Sequence, residues 1–296
     1  MTLRLGTRGS PLALAQAELA ARALTAHGVE PEVVVISTRG DEAATAPLGE
    51  LGPGAFASAL EEALAAGEVD IAVHSAKDLT GDEDEGLPVV GCLERADPRD
   101  AWCGGARTLA EVPQGARVGT SSLRRTASLV HLRPDLEIVP IRGNVQTRLN
   151  RRATDRLDAV VLAACGLDRL GLAGEIGFRF DAQDLLPESG QGAIALQTRV
   201  GEEHVAARSC HRETTDAVHA ERLVTRALGG GCRVPVAAHA HRDADGWRLT
   251  GWVASPDGSR VVRETVEGSD PIGIHDVLVD RLLVAGAEAI LEAGRA

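Results

Sequence analysis

A lysine and an aspartate stand side by side at the end of an apolar segment. Lys77 and Asp78 follow the apolar run at residues 69–73. An aspartate in a pocket can act as a general acid or base, or balance the charge of a cationic intermediate. Lys77 is the only lysine among 31 basic residues, which indicates that a compact ammonium is needed there instead of a planar guanidinium. The alternatives are a chance remnant for Lys77 and an ordinary solvated loop for both residues.

Two serines precede predicted helices and have arginines beside them. Ser10 is accompanied by Arg8, and Ser122 by Arg124 and Arg125. In both segments a short strand leads through Gly-Thr to the serine and then into a helix. The N-terminus of a helix presents unpaired N–H groups and a positive dipole end. Both segments are therefore predicted to bind anions.

Three further arginines occupy positions near strand ends. Arg142 lies in an Arg-Gly-Asn turn after a strand, Arg148 lies one turn into the following helix, and Arg169 follows the strand at residues 159–162. Ligands of open α/β sheets bind beyond the carboxyl ends of the strands. The sequence therefore predicts a pocket for a molecule with several negative charges. Arginine selects carboxylates or phosphates and specifies no more than that. The alternative is that these side chains are solvated surface groups.

Cys232 lies in a glycine-rich loop and is followed by Arg233, which favours the thiolate. The alternative is an inert thiol. The five cysteines are odd in number and widely spaced, and no CxxC pair occurs, so a disulfide framework is not expected. A metal site built from Cys232, His239 and His241 would have mixed spacing and no fourth ligand nearby, so no metal is predicted.

Strands and helices alternate through the first two thirds of the chain, which favours a mostly parallel sheet. The pattern of strand, turn and helix repeats after residue 116, which predicts two similar α/β domains. From about residue 246 the sequence is typical of a β-hairpin around a Ser-Pro-Asp-Gly turn, covered by a final helix. The predicted strands are 3–5, 33–36, 69–73, 117–119, 138–141, 159–162, 247–254 and 260–267. The predicted helices are 11–27, 55–65, 123 onward, 145–153, 214–228 and 274–293.

Composition excludes several classes of protein. The chain has 296 residues, 44% hydrophobic and 25% charged, which fits a globular protein of about two domains or three small ones. The longest uncharged runs have ten residues, too few for a membrane helix. A net charge of −12 and only six aromatic residues argue against nucleic-acid binding. The N-terminal residues lack the apolar region of an export signal, which predicts a cytoplasmic protein.

Eight short strings, in order along the chain, resemble those of the porphobilinogen deaminase family, also called hydroxymethylbilane synthase. The resemblance covers essentially the whole sequence. The strings are TRGSPLAL at 7–14, TRGD at 38–41, HSAKD at 74–78, DPRDA at 97–101, GTSSLRR at 119–125, RGNV at 142–145, GQGA at 190–193 and GGCRVP at 230–235. Two departures accompany them. Residues 50–54 read Glu-Leu-Gly-Pro-Gly where many members carry a lysine-bearing glycine loop, and Thr80 stands where proline is common.

The resemblance implies an α/β fold with three domains. Two have the topology of type II periplasmic binding proteins and flank an active-site cleft, and they comprise residues 1–93 with 190–212 and residues 94–189. The third, residues 213–296, is a smaller α+β domain that carries the cofactor cysteine. The implied cofactor is a dipyrromethane joined to Cys232 by a thioether, and the implied substrate is porphobilinogen. A monomer without nucleic-acid or membrane partners is expected.

The resemblance also implies roles for individual residues. Asp78 matches the catalytic aspartate. Each pyrrole ring carries one acetate and one propionate group, and the other matched residues are implied to bind these carboxylates. Cofactor carboxylates are assigned to Lys77, Ser75, Thr120, Ser122, Arg124, Arg125 and Arg148, and substrate carboxylates to Arg8, Ser10, Arg142 and Arg169. A rival reading is a cytoplasmic two-domain module that binds an anion without catalysis, since a fold does not decide a function.

Overall fold

The computed structural model describes residues 2–37, 57–79, 84–229 and 234–295. The chain forms two compact units. The first unit comprises Met1–Ala96 and Gly192–Thr215, and the second comprises Asp97–Gln191 and Asp216–Ala296. The chain therefore leaves the first unit after Ala96 and returns to it at Gly192. It passes into the second unit again within a single helix, after Thr215.

The described residues form strands and helices with the following bounds. The strands are β1 (Leu3–Arg8), β2 (Pro31–Ile36), β3 (Ile71–Ser75), β4 (Val89–Cys92), β5 (Asp100–Gly104), β6 (Arg117–Gly119), β7 (Glu137–Val139), β8 (Ala159–Ala163), β9 (Phe178–Arg179), β10 (Ile194–Gln197), β11 (Val236–Asp243), β12 (Gly246–Ala254) and β13 (Val261–Gly268). The helices are α1 (Pro11–Ala26), α2 (Ser58–Ala65), α3 (Leu123–Leu132), α4 (Val145–Thr154), α5 (Ala164–Arg169), α6 (His204–Ala207), α7 (Arg212–Ala227), α8 (His275–Val284) and α9 (Ala287–Arg295). None of the helices in these described segments is both long and apolar enough to cross a membrane.

The first unit is built on a five-stranded sheet in the order β2-β1-β3-β10-β4. Strands β1, β2 and β3 are parallel, and β10 runs antiparallel to both β3 and β4. Helix α1 packs Ala17 and Leu24 against Leu5 and Ile71 of the sheet. Ser10 caps the start of α1 through its hydroxyl, Pro11 takes the first helical position, and Gly28 follows the end with a φ of +80°. The predicted beginning and end of this helix are thus confirmed.

The second unit contains a sheet of the same design, in the order β7-β6-β8-β5-β9. Strands β6, β7 and β8 are parallel, and β5 is antiparallel to its two neighbours. In each sheet the antiparallel strand is the first one formed after the chain passes between the units. The core on the two faces of this sheet includes Trp102, Leu129, Val160 and Leu167.

The third sheet is antiparallel, in the order β11-β12-β13, and belongs to the second unit. Helices α8 and α9 cover it, with Leu278 and Leu282 packed in the same apolar cluster as Leu249 and Val224. The predicted hairpin turn at residues 255–258 is confirmed. The prediction of one final helix is wrong. The helix is interrupted between α8 and α9 at Gly286, which has a φ of +102°.

The third sheet docks on helix α3 of the same unit. Trp252 and Ala254 pack against Ala127 and Leu186. At the turn, a Cβ atom added to Gly258 would lie 2.5 Å from the carbonyl oxygen of Ala127, and the φ of Gly258 is +68°. The carbonyl of Gly258 also lies 3.2 Å from Nδ1 of His131. Only glycine fits here, because both the backbone conformation and the close approach exclude a side chain.

A buried carboxylate joins helix α7 to the segment where the chain leaves the second unit. Glu221 has no exposed surface. Its Oε2 accepts a hydrogen bond from the backbone N–H of Gly190 at 2.7 Å, and its Oε1 accepts one from that of Ala240 at 2.8 Å. Nδ1 of His239 lies 3.1 Å from the same Oε1. This carboxylate therefore fixes α7, the crossing segment and β11 to one another.

The α/β fold class is confirmed by two mostly parallel sheets with helices and a smaller third sheet. The sequence did not predict β4, β5, β9, β10 or β11. Strand β7 ends at Val139, two residues before the predicted end. Helix α7 spans Arg212–Ala227 rather than 214–228. The first three residues of the predicted helix 55–65 precede α2, and two of them lie outside the described residues.

Candidate active site

The predicted anion-binding residues of the second unit lie at one edge of its sheet. Strands β6, β7 and β8 are parallel, so their carboxyl ends share this edge. Thr120 and Ser122 follow β6, Arg142 follows β7, and Arg169 ends the helix that follows β8. The antiparallel strand β5 begins at the same edge, because Asp100 pairs with the last residue of β8.

Arg124 and Arg125 converge on Asp100, which has no exposed surface. Nη1 of Arg124 donates to Oδ2 of Asp100 at 2.7 Å. Nε of Arg125 donates to Oδ1 at 2.9 Å, and its Nη2 lies 2.8 Å from the same oxygen. Nε2 of Gln191 donates to Oδ1 at 3.0 Å. The side chains of both arginines are almost completely buried, so this edge of the sheet contains a dry ionic cluster.

Burial and charge act in opposite directions on Asp100. Burial raises the pKa of its carboxyl group, but the positive charges of Arg124 and Arg125 outweigh that effect and hold the pKa at about 2. Burial likewise lowers the pKa of Arg124, while Asp100 raises it above its ordinary value. Asp100 and Arg124 are therefore both ionised at neutral pH.

The two arginines differ in how many of their donors are used. Arg125 donates from Nε and Nη2 to Asp100 and from Nη1 to the carbonyl of Val161 at 3.1 Å. Arg124 donates only from Nη1, to Asp100 and to the carbonyl of Leu186 at 2.8 Å. Its Nε and Nη2 are buried and have no hydrogen-bond partner among the described residues. Such unpaired donors fit a ligand carboxylate, which would supply the missing acceptors.

The two hydroxyl groups near this cluster already organise the backbone. Oγ of Ser122 accepts from the N–H of Arg125 at 3.4 Å and caps α3. Oγ1 of Thr120 accepts from the N–H of Ser122 at 3.2 Å. Each hydroxyl retains its own proton as a donor, so capping and ligand binding are compatible.

The three other predicted arginines of this unit, Arg142, Arg148 and Arg169, follow β7 or β8 along the chain. Nε of Arg148 donates to the carbonyl of Gly143 at 2.7 Å, which folds this side chain over the turn at the start of α4. Arg169 is half-buried, and burial lowers the pKa of its guanidinium, with Asp168 opposing that effect. Arg142 is also half-buried, immediately after β7.

The first unit collects its predicted site residues at one edge in the same way. Arg8 ends β1 and Ser75 ends β3, and these two strands are parallel. Ser10 follows, with its hydroxyl accepting from the N–H of Ala13 at 3.2 Å. Lys77 and Asp78 lie in the single 3-10 turn that follows β3, and both are half-buried.

The turn that carries Lys77 and Asp78 is anchored by its first residue. Ala76 is buried, and its N–H donates to the carbonyl of Ala193 at 3.1 Å, next to the start of β10. Since β10 pairs with β3 through Ile194 and Ser75, a strand from a distant part of the chain fixes the position of this turn.

Besides the TRGD string at residues 38–41, three features noted in the sequence lie outside the described residues. They are Cys232, the glycine-containing segment at residues 50–54, and Thr80. The four remaining cysteines form no disulfide within the described part of the chain. Burial raises the pKa of Cys103 to about 12 and that of Cys210 to about 11, so both thiols stay protonated at neutral pH. No set of three or more potential metal ligands occurs within the described part of the chain.

Sequence reasoning missed Asp100 and Gln191 as parts of the site. Asp100 was noticed only as a member of the DPRDA string, and Gln191 only within GQGA. The signal that could have revealed Asp100 is an acidic residue at the start of an apolar segment that reads Ala-Trp-Cys. A carboxylate at such a position needs buried cations, and two adjacent arginines were available.

Comparisons with known proteins agree on one family. A family model described as porphobilinogen deaminase, dipyromethane cofactor binding domain, matches residues 3–207, and one described as porphobilinogen deaminase, C-terminal domain, matches residues 215–277. The porphobilinogen deaminase of Trichlorobacter lovleyi is 45% identical over 298 residues, covering 98% of this chain and 96% of the relative. That of Geobacter sulfurreducens is 44% identical over 299 residues, covering 98% and 93%.

Comparison with solved structures gives only distant matches. The methionine binding protein MetQ has a TM-score of 0.43 and 15% identity, covering 70% of this chain and 89% of that one. A periplasmic substrate-binding protein of an ABC transporter from Coxiella burnetii has a TM-score of 0.43 and 17% identity, covering 70% and 91%.

Two mostly parallel sheets, each with basic side chains at the carboxyl ends of its strands, define an α/β protein. Since a family model matches more than half of the chain and relatives are 44–45% identical over 98% of it, the chain belongs to the porphobilinogen deaminase family. Members of this family are transferases.

Proposed function

We propose that this protein is a hydroxymethylbilane synthase. It deaminates and polymerises four porphobilinogen molecules on a covalently bound dipyrromethane, then releases the linear tetrapyrrole hydroxymethylbilane by hydrolysis, a step of porphyrin and heme biosynthesis. The observation that carries the proposal is the placement of Lys77 and Asp78 at the carboxyl edge of a sheet, in a chain that matches the family over almost its full length.

Asp78 is the catalytic residue of the proposal. Porphobilinogen loses ammonia to give an azafulvene, and the α-carbon of a terminal pyrrole attacks the exocyclic carbon of that electrophile. Both the protonated azafulvene and the terminal pyrrole, once its α-carbon has formed the new bond, carry positive charge that is shared with ring N–H groups. A carboxylate held at the end of β3 stabilises this charge and accepts the proton that the α-carbon must lose.

The basic residues hold the carboxylates of the growing chain. Each addition brings one acetate and one propionate, so a site for the product must offer many cations. Arg124 has two buried donors available, and Lys77 stands beside the catalytic carboxylate. The dipyrromethane supplies the first attacking pyrrole and remains attached through Cys232 in this proposal. Ser75, Thr120, Ser122, Arg125 and Arg148 complete its binding site, and Arg8, Ser10, Arg142 and Arg169 bind the incoming substrate.

The proposal includes three domains with the boundaries expected from the sequence, a cytoplasmic location and a monomeric state. The two five-stranded sheets and the separate third sheet support the division into domains. The only partner it requires is porphobilinogen.

The test is the mass of the denatured protein beside a Cys232→Ser variant. Denaturation removes reversible ligands and leaves covalent ones. A mass excess equal to two porphobilinogen molecules less two ammonia molecules, absent from the variant, is the expected result. An unmodified mass before and after incubation with porphobilinogen would contradict the proposal and favour an anion-binding protein without catalysis.

A second test separates binding from chemistry. Asp78→Asn keeps the size of the side chain but removes the charge and the base. The variant is expected to lose ammonia release and tetrapyrrole formation by at least about a hundredfold. Unchanged turnover in Asp78→Asn would refute the catalytic role of this carboxylate.

A further inference from the structure

Three long-range contacts meet at the Asp100 carboxylate. It lies at the start of β5, the two arginines that pair with it lie in the first turn of α3, and Gln191 lies 91 residues further along the chain. Gln191 also donates from its Nε2 to the carbonyl of Pro98 at 2.7 Å, so it closes the cluster beside β5. A carboxylate so deeply buried is stable only because every one of these partners is in place.

The two adjacent arginines differ in how many of their nitrogen groups donate hydrogen bonds to the protein. All three nitrogen groups of Arg125 donate to protein acceptors, whereas, among the residues that the structure describes, Arg124 finds acceptors only for Nη1. The Nη1 contacts to Asp100 and to the carbonyl of Leu186 hold one corner of the Arg124 guanidinium. Because that group is planar and rigid, fixing one corner limits the directions in which Nε and Nη2 can donate.

We propose that Asp100 is a positioning residue that holds the Nε and Nη2 donors of Arg124 ready for one carboxylate of the dipyrromethane. Arg125 and Gln191 fix Asp100 itself. The proposal rests on the proposed function, because it concerns the binding of that cofactor. It explains why a fully buried aspartate occurs beside residues that must attract carboxylates: the carboxylate of Asp100 uses Nη1 and leaves the remaining two groups for the ligand.

Asp97 provides a matched control. It also lies between two arginines, with Oδ2 at 2.7 Å from Nη2 of Arg99 and in contact with Nη1 of Arg179. Neither of these arginines belongs to the predicted cofactor site. Replacing Asp97 therefore removes a carboxylate from an arginine pair of the same unit without touching Arg124.

The experiment follows the attachment of the cofactor instead of turnover. Full-length wild type, Asp100→Asn, Asp97→Asn and Arg124→Lys are purified without the cofactor, from cells that make no porphobilinogen, and the folded fraction of each is measured by near-UV circular dichroism. Porphobilinogen is then added, and the covalent mass excess of the denatured protein is followed with time. Arg124→Lys keeps a positive charge beside Asp100 but removes the planar fork.

Wild type and Asp97→Asn are expected to gain the mass excess at similar rates per folded molecule. Asp100→Asn and Arg124→Lys are expected to gain it at least about tenfold more slowly, the effect of losing a charged hydrogen bond. If Asp100→Asn does not fold, Arg124→Lys decides the question. The proposal is overturned if folded Asp100→Asn or Arg124→Lys gains the mass excess at the wild-type rate. It is also overturned if Asp97→Asn gains it as slowly as Asp100→Asn does. Absence of the mass excess in wild type would instead refute the proposed function.

Discussion

Replacing Gly258 by alanine is expected to weaken the docking of the third sheet on helix α3. Gly258 has a φ of +68°, and an added Cβ atom would lie 2.5 Å from the carbonyl oxygen of Ala127 and 3.1 Å from the backbone nitrogen of His131. Both neighbours are backbone atoms of a helix and cannot move aside. The turn at residues 255–258 must therefore lift away from α3.

Three contributions determine the size of this effect. The left-handed conformation costs a residue with a side chain roughly 1 kcal/mol. Lifting the turn breaks the contact between Nδ1 of His131 and the carbonyl of Gly258, worth about 1 kcal/mol. Partial exposure of Trp252, which packs under the turn, adds about 1 kcal/mol. The sum is a loss of about 3 kcal/mol in the free energy of unfolding.

Thermal unfolding monitored by circular dichroism measures the loss, and Gly115→Ala is the control. Gly115 has a φ of +69° and nothing within 4 Å of an added Cβ atom, so this change carries only the conformational cost. We expect Gly258→Ala to lower the unfolding midpoint by about 6–12 °C and Gly115→Ala by about 2–4 °C. Equal shifts in the two variants would refute the reasoning, because they would show that the turn does not press on α3.

Three other predictions concern stability. Glu221→Gln leaves a buried backbone N–H without its acceptor and should lower the free energy of unfolding by about 2 kcal/mol, measured by urea denaturation. If Glu221→Gln and the exposed control Glu292→Gln unfold at the same urea concentration, the prediction is wrong. The folded pKa of Asp100 is about 2, below its unfolded value of 3.8. Its ionisation therefore stabilises the fold by about 2 kcal/mol above pH ~4, and this stabilisation is lost as the pH falls toward 2. Asp100→Asn should make stability depend less on pH in this range, and an unchanged dependence of stability on pH would contradict the prediction. Arg156 has a φ of +53° at the end of α4, so Arg156→Gly should raise the stability by about 0.5–1 kcal/mol, and a lower melting temperature would disprove this.

Much of the site could be predicted because its residues follow local signals. The serine caps, the proline at the first position of α1 and the strand that precedes each serine are encoded within about ten residues. Since parallel strands place their carboxyl ends at one edge, a correct reading of the β/α alternation also placed Arg142 and Arg169 near Ser122. The eight strings supplied the family, which comparison with relatives confirmed, and the assigned roles of individual residues stay predictions.

The antiparallel strands of the two five-stranded sheets could not be predicted in this way. Strand β10 has four residues and β5 has five, and each pairs with a strand far away in sequence. Such short segments carry no periodicity that separates them from a buried loop, and their direction depends on where the chain passes between the units. The first crossing between the units places Asp100, the first residue of β5, at the candidate site of the second unit. The return crossing places the segment just before β10 at the candidate site of the first unit.

The sequence by itself determined the fold class, the family and the residue types that bind carboxylates, since each depends on neighbours in the chain or on matched strings. Only the tertiary structure decided which of those residues already use their hydrogen-bond donors within the protein. Arg124 and Arg125 are equivalent in sequence, yet a buried aspartate 24 residues from one and 25 from the other uses their donors unequally. The physical reason is that hydrogen bonds in a dry interior are directional and must be satisfied individually, and the partners that satisfy them are brought together only by folding.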